Sequence, residues 1–261
     1  MSRHKHLCLF ATAVCLLSGC VPAVSYRASP GFSEQAQRIR TVALLPSKVK
    51  VYQIDAGGVR EEMEAWSAQA RNNVITALEN ELRAKLKAAM KNVGEESLAE
   101  EKALAEETRA LYSAVSAMIL LHTYPNPNFP NHFFEEKLKQ FDYSLGVEVN
   151  RLAKEAEALL LVDAEDHIWT AGRQALQALG VILGIGAGVG TGVVVIPQLG
   201  GGTSLRAALV DSRTGDILWM NAVTSGAGRD LRNPESTTEM ASQLFKDFPG
   251  YESLSREEKP R

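Results

Sequence analysis

Apolar positions change their spacing several times along the chain, and each change marks an element. Thr41-Val-Ala-Leu-Leu-Pro46 is a nearly unbroken apolar run, as expected of a strand covered on both faces. Lys48 to Ile54 then alternates, a strand with one wet face. Pro46 removes a ladder donor between them, so a bend or bulge is expected there. Asp55-Ala-Gly-Gly58 reads as a turn. From Glu61 to about Met90 the period becomes helical, with Met63, Trp66, Ala70, Val74, Ala77, Leu78, Leu82 and Leu86 near one stripe. Gly94 is placed to close this helix, and Ser97-Leu-Ala-Glu100 reads as a capping box for the next. That second helix runs to about His122, with Leu104, Leu111, Val115, Met118 and Ile119 expected inward. Two long helices joined so briefly are expected to lie antiparallel.

Beyond the proline-rich loop Tyr124–Pro130, Phe133, Phe134, Leu138 and Phe141 outline a short amphipathic helix, and Ser144 opens another with Leu145, Val149 and Leu152 inward. Ala158 to Ile168 is a strand whose first half is apolar and whose second half is charged. Thr203–Val210 and Ile217–Val223 form a hairpin around Asp211-Ser-Arg-Thr-Gly-Asp216, where Gly215 supplies the positive φ of the turn. Asn233-Pro234-Glu235 is an N-cap, a proline at the first helical position and an acid in the first turn, opening a helix that carries Met240, Leu244 and Phe245. The expected fold is α+β: a single domain over 39–248, in which a small mixed sheet of about four strands is packed by helices as an α/β sandwich. A helical-hairpin insertion is expected at about 95–143, and the tail 249–261 is expected to be disordered.

The first residues change the picture. Arg3 and Lys5 lead into an apolar run, Leu7 to Leu17, which ends in Leu17-Ser18-Gly19-Cys20. This is the pattern of a secretory signal peptide over 1–19. Leu-Ser-Gly-Cys resembles the lipobox of bacterial lipoproteins, which implies lipid on the Cys20 thiol and cleavage before it. Val21 to Arg38, broken by Pro22, Pro30 and Gly31, reads as an extended leash over 20–38. Val21 follows the cysteine where aspartate does not, which by resemblance implies the outer membrane, with the domain facing the periplasm. Cys8 and Cys15 would leave with the signal, so no thiol remains for a disulfide, a metal or a nucleophile. Residues 1–19 hold two cations and no acid, so the chain from Cys20 carries 26 Lys+Arg against 31 Asp+Glu, a formal charge of −5 rather than −3. That balance argues against a nucleic-acid partner, which selects a basic face.

Residues 172–202 are apolar and glycine-rich. Ala175 to Ile196 is 22 residues without a charge, long enough to cross a bilayer as a helix. A single crossing would part the 203–224 hairpin from the strands at 41–54 and 158–168, so the segment is expected to stay in the periplasm. There Val189, Val193 and Ile196 form a possible partner-binding surface.

Several stretches resemble a family of periplasmic lipoproteins that includes the curli-secretion-channel lipoproteins and the penicillin-binding-protein activators. They are the lipobox with its leash, Thr41–Pro46, Asn73–Leu82, Ala156–Val162 and Leu209–Trp219. The sequence departs from the family at Ser47, at Asp163 and in the length of the 95–143 insertion. The resemblance implies a small α/β sandwich without catalytic machinery.

The chain holds no phosphate-loop pattern and no G-x-S-x-G elbow. His122 and His132 are ten apart across a proline loop, which suits no standard zinc pattern. Glu95, Glu96, Glu100, Glu101, Glu106 and Glu107 read as a solvated helix face. The best polar cluster is Asp163, Glu165, Asp166 and His167, of which the first, second and last share one face of a strand. Three functions are therefore open. The first is a non-catalytic, lipid-anchored adaptor that binds an envelope protein. The second is an oligomeric secretion pore with 172–200 in the membrane, and the third a metal-dependent hydrolase on Asp163, Glu165 and His167. The first is expected, with no cofactor, no metal and no catalytic residue.

Overall fold

Thr41–Ile54 and Ala158–Trp169 lie side by side, and the sheet grows outward from this pair. The computed structural model describes residues 26–125, 129–175, 201–226 and 228–249. Cys20 and the signal segment, Val189, Val193 and Ile196, and the tail from 250 onward lie outside the described residues.

Among the described residues the sheet has eight strands: β1 (Arg27–Ala28), β2 (Thr41–Leu44), β3 (Lys48–Ile54), β4 (Arg60–Glu62), β5 (Ala89–Asn92), β6 (Ala158–Trp169), β7 (Thr203–Asp211) and β8 (Ile217–Ser225). Their order is β1-β8-β7-β6-β2-β5, with β3 beside the second half of β6 and β4 beyond β3. The pairs β2–β5, β2–β6 and β3–β6 are parallel and the others antiparallel. The α+β class with a mixed open sheet is as expected, but the expected four strands are doubled. Pro46 does break the long first strand. Val42 faces Ala158 and Lys48 faces Asp163, so six steps along one strand match five along the other.

Helices α1 (Phe32–Arg38), α2 (Glu64–Leu86), α3 (Lys102–Thr123), α4 (Glu135–Gln140) and α5 (Pro234–Leu244) cover the two faces. Strand alternation sorts the core into two halves. Val42, Leu44, Val49, Val51, Leu160, Val162 and Leu209 meet Val74, Leu78, Leu82 and Leu86 of α2 and Met240 and Leu244 of α5. Trp219 stacks on Phe245 at 5.0 Å between centroids, and Phe248 closes its edge at the same distance. On the other face Ala43, Leu45, Leu159, Leu161 and Val210 meet α3, Phe141 and a 3₁₀ turn, Val147–Leu152.

The hairpin and the last helix form as expected. Gly215 has φ 79°, and a Cβ there would lie 2.0 Å from the Gly146 carbonyl oxygen, so the turn needs glycine for space as well as for φ. The Asn233 side chain accepts the amide hydrogens of Glu235 and Ser236 at 2.8 and 3.2 Å.

Other expectations are corrected. Residues 60–62 pair with β3, so α2 begins at Glu64, and it closes at Lys87, left-handed with φ 54°. Gly94 closes no helix, because β5 stands between. That strand pairs parallel with β2 and carries the chain from one face of the sheet to the other, so α2 and α3 pack on opposite faces rather than against each other. Ser97 caps nothing; its hydroxyl donates to the Gly94 carbonyl inside a 3₁₀ turn, Glu96–Glu101. The buried stripe of α3 is Ala105, Thr108, Tyr112, Ser116, Ile119 and Thr123, whereas Leu111 and Met118 are 40% and 44% exposed. Of the four apolar residues expected to anchor α4, only Phe141 is buried, and Phe134 stands exposed. Finally, residues 26–38 are no leash: β1 pairs with β8, and α1 buries Phe32 against Phe248 at 5.5 Å.

Candidate functional site

Beyond the apolar first half of β6, its side chains turn polar on both faces. Asp163, Glu165 and His167 share the α3 face, as their spacing predicts, but arginines meet both acids. Asp163 pairs with Arg206 at 2.7 Å and Glu165 with Arg60 at 3.4 Å. The Arg60 guanidinium also lies 3.6 Å over the Tyr52 ring, which in turn rests 5.5 Å from His167. The His167 Nε2 is buried without a hydrogen bond and stands 3.8 Å from Glu165. Charges matched in this way tie strands of the sheet together, and one carboxylate oxygen of Asp163 is taken up by Arg206. Among the described residues no three His, Cys, Asp or Glu side chains gather as a metal site would need. His122 contacts the Tyr143 hydroxyl at 3.3 Å, and His132 is exposed.

Asp166 faces the other way and is 1% exposed. It accepts the Thr203 hydroxyl and the Leu231 amide, each at 2.9 Å, and so pins the loop before α5 to the end of β6. Burial pushes its pKa up, against the pull of these two bonds. The Asn73 amide of α2 donates to the Leu231 and Arg232 carbonyls, both at 2.9 Å, and holds the same loop from above.

Two hollows border α3. One hollow of about 350 Å³ is floored by Asp163, Glu165, Ser204, Arg206 and Thr224 and walled by Ser113 and Leu120 of α3. Arg206 lies 5.7 Å beneath the ring of Tyr112, whose hydroxyl is buried without a well-formed hydrogen bond. Burial, with the nearby Asp163 charge, raises the pKa of that hydroxyl far above the usual phenol value. A second hollow of about 420 Å³ lies beyond the carboxyl ends of β2 and β5, lined by Pro46, Ser47, Lys48, Arg71, Gly94, Glu95 and Arg109 among others. Lys48 borders both hollows, and Arg109 and Ser113, one turn apart on α3, line one each. Lys48, Arg71 and Arg109 make no ion pair among the described residues. The two hollows offer charges and hydrogen-bonding groups, and among the described residues no hydroxyl lining them is hydrogen-bonded to a base as a nucleophile requires.

Sequence reasoning placed the β6 cluster and missed the cations. Arg71 and Arg109 sit at ordinary polar positions of two helices, and only the crossing made by β5 brings them to one cleft.

No protein-family model and no curated protein matches the chain. Among solved structures it is similar to a PelC dodecamer from Paraburkholderia phytofirmans, with 12% identity and a TM-score of 0.36, over 84% of this chain and 91% of that one. It is similar to the lipoprotein GNA1162 from Neisseria meningitidis, with 13% identity and a TM-score of 0.31, over 79% and 96%. The C-terminal domain of LpoB from Salmonella enterica gives 11% identity and a TM-score of 0.23, over 76% and 95%.

Proposed function

We propose that the protein is a non-catalytic adaptor of the cell envelope, anchored in the outer membrane by lipid on Cys20, facing the periplasm and binding another envelope protein. The observation that carries this reading is the position of β1. Arg27 is already docked on β8, only seven residues after Cys20. Seven residues of fully extended chain span at most about 25 Å. A lipid on Cys20 therefore holds the domain against the bilayer, where a 20–38 leash would have let it roam. The ion-paired acids of β6 and the cationic hollow under α3 support a binding role for the same domain. The partner surface is proposed to include Val189, Val193 and Ile196.

Labelled palmitate fed to cells should enter the wild type and not Cys20→Ala, and the variant should leave the membrane fraction. Equal labelling of both would overturn the anchor. A photocrosslinker at Ser113 should give one discrete envelope-protein adduct in the wild type, reduced in Cys20→Ala; no adduct from the anchored protein contradicts the adaptor role. Val189→Cys and Ile196→Cys should resist a membrane-impermeant maleimide in intact cells. Labelling of either would put that segment at the cell surface.

A further inference from the structure

We propose that the cleft beyond the carboxyl ends of β2 and β5 is a phosphoryl-binding site, with Arg109, Arg71 and Lys48 supplying charge and Ser47 a neutral donor. Topology comes first. β2 and β5 are parallel neighbours, yet the chain passes from the β2–β3 strand, through β4, to α2 on one face and from β5 to α3 on the other. Adjacent parallel strands whose connections leave to opposite faces open a crevice at their carboxyl ends, which is where open α/β sheets bind ligands.

The lining points to the ligand. Arg71 comes from α2, Arg109 from α3 and Lys48 from the start of β3, so three elements direct cations to one hollow of about 420 Å³. Glu95 also borders it, and among the described residues makes no ion pair with any of the three. Two polar atoms here are buried without a hydrogen-bond partner in the protein, Arg109 Nε and Ser47 Oγ, the serine being 7% exposed. Leu44, Leu45 and Ile75 complete the lining with apolar surface, which lowers the local dielectric and strengthens the pull on an anion. Two guanidinium forks with an ammonium suit a tetrahedral oxyanion of high charge. The phosphoryl group has two sources in this setting, free phosphate and the headgroup of an anionic lipid. The site does not depend on the adaptor reading.

The test uses the full-length protein in neutral detergent micelles, titrated calorimetrically with inorganic phosphate and, separately, with micelles doped with phosphatidylglycerol or phosphatidylcholine. Saturable binding of phosphate or of phosphatidylglycerol is expected, and none of phosphatidylcholine. Arg109→Gln and Arg71→Gln should each weaken it at least about tenfold, the loss expected of a charged hydrogen bond. Arg83→Gln, an exposed arginine of α2 paired with Glu79, should not weaken it. Binding of phosphate alone identifies a soluble ligand, and of phosphatidylglycerol alone a headgroup. If Arg109→Gln melts early, Lys48→Gln, on the strand surface, reads the same site. Absence of binding by both probes overturns the proposal, as does equal weakening by Arg83→Gln and Arg109→Gln, which would mark diffuse charge.

Discussion

The two faces of the sheet are covered by helices of nearly equal length, 23 residues in α2 and 22 in α3, yet the helices turn different chemistry inward. α2 presents Ser67, Ala70, Val74, Ala77, Leu78, Leu82 and Leu86, and its face also holds the Trp219–Phe245–Phe248 cluster. α3 presents Ala105, Thr108, Tyr112, Ser116, Ile119 and Thr123. Each fully buried leucine or aromatic contributes about 1.5–3 kcal/mol, and a buried serine or threonine contributes little of this. The α2 face therefore carries most of the stability. Two hollows border α3, one at Ser113 and Leu120 and one at Arg109, the latter shared with Arg71 and Ile75 of α2. One sheet thus carries a densely apolar core on one side and a core bordered by polar hollows on the other.

Breaking the scaffold should give the largest effect. Trp219→Ala empties the most crowded part of the α2 face and should cost about 3–5 kcal/mol in urea denaturation. Next comes the clasp between the hairpin and the α3-side segment. Gly215→Val combines a left-handed φ with a clash against the Gly146 carbonyl and should cost about 2–4 kcal/mol, where any alternative turn would show no loss. A smaller, pH-dependent difference belongs to Asp166. Burial raises its folded pKa, so its charge weakens the fold above that value and protonation relieves the cost. As pH falls from 7 toward 4, the wild type should gain stability relative to Asp166→Asn; a constant difference across this range would remove the assignment. Smallest of all, Leu111→Ser on the exposed side of α3 should change stability by less than about 0.5 kcal/mol.

The same contrast explains what the sequence made legible. On the α2 face the stripe from Ala70 to Leu86 is large and apolar, so its period is plain. The hairpin was equally plain, because Asp211 and Gly215 are turn residues between two apolar runs. On the α3 face the inward residues are small or polar, and the apolar Leu111 and Met118 point outward, so hydrophobicity alone put the stripe one position away from its true place. β5 was hidden for a different reason. Ala-Met-Lys-Asn has no strand signature, and the strand exists because β2 offers it an unpaired edge. Missing four residues turned two faces into one helical hairpin. The β6 acids were found by their spacing, whereas their arginine partners, Arg60 and Arg206, are 105 and 43 residues away along the chain.

Amide hydrogen exchange of α2 against α3 tests this division most directly. If the α2 face is the scaffold, Val74–Leu86 should exchange only through global unfolding, while Ala105–Ile119 should open locally and exchange at least about tenfold faster. Equal protection of the two helices would contradict the account, because the α3 face would then carry as much of the stability as the α2 face.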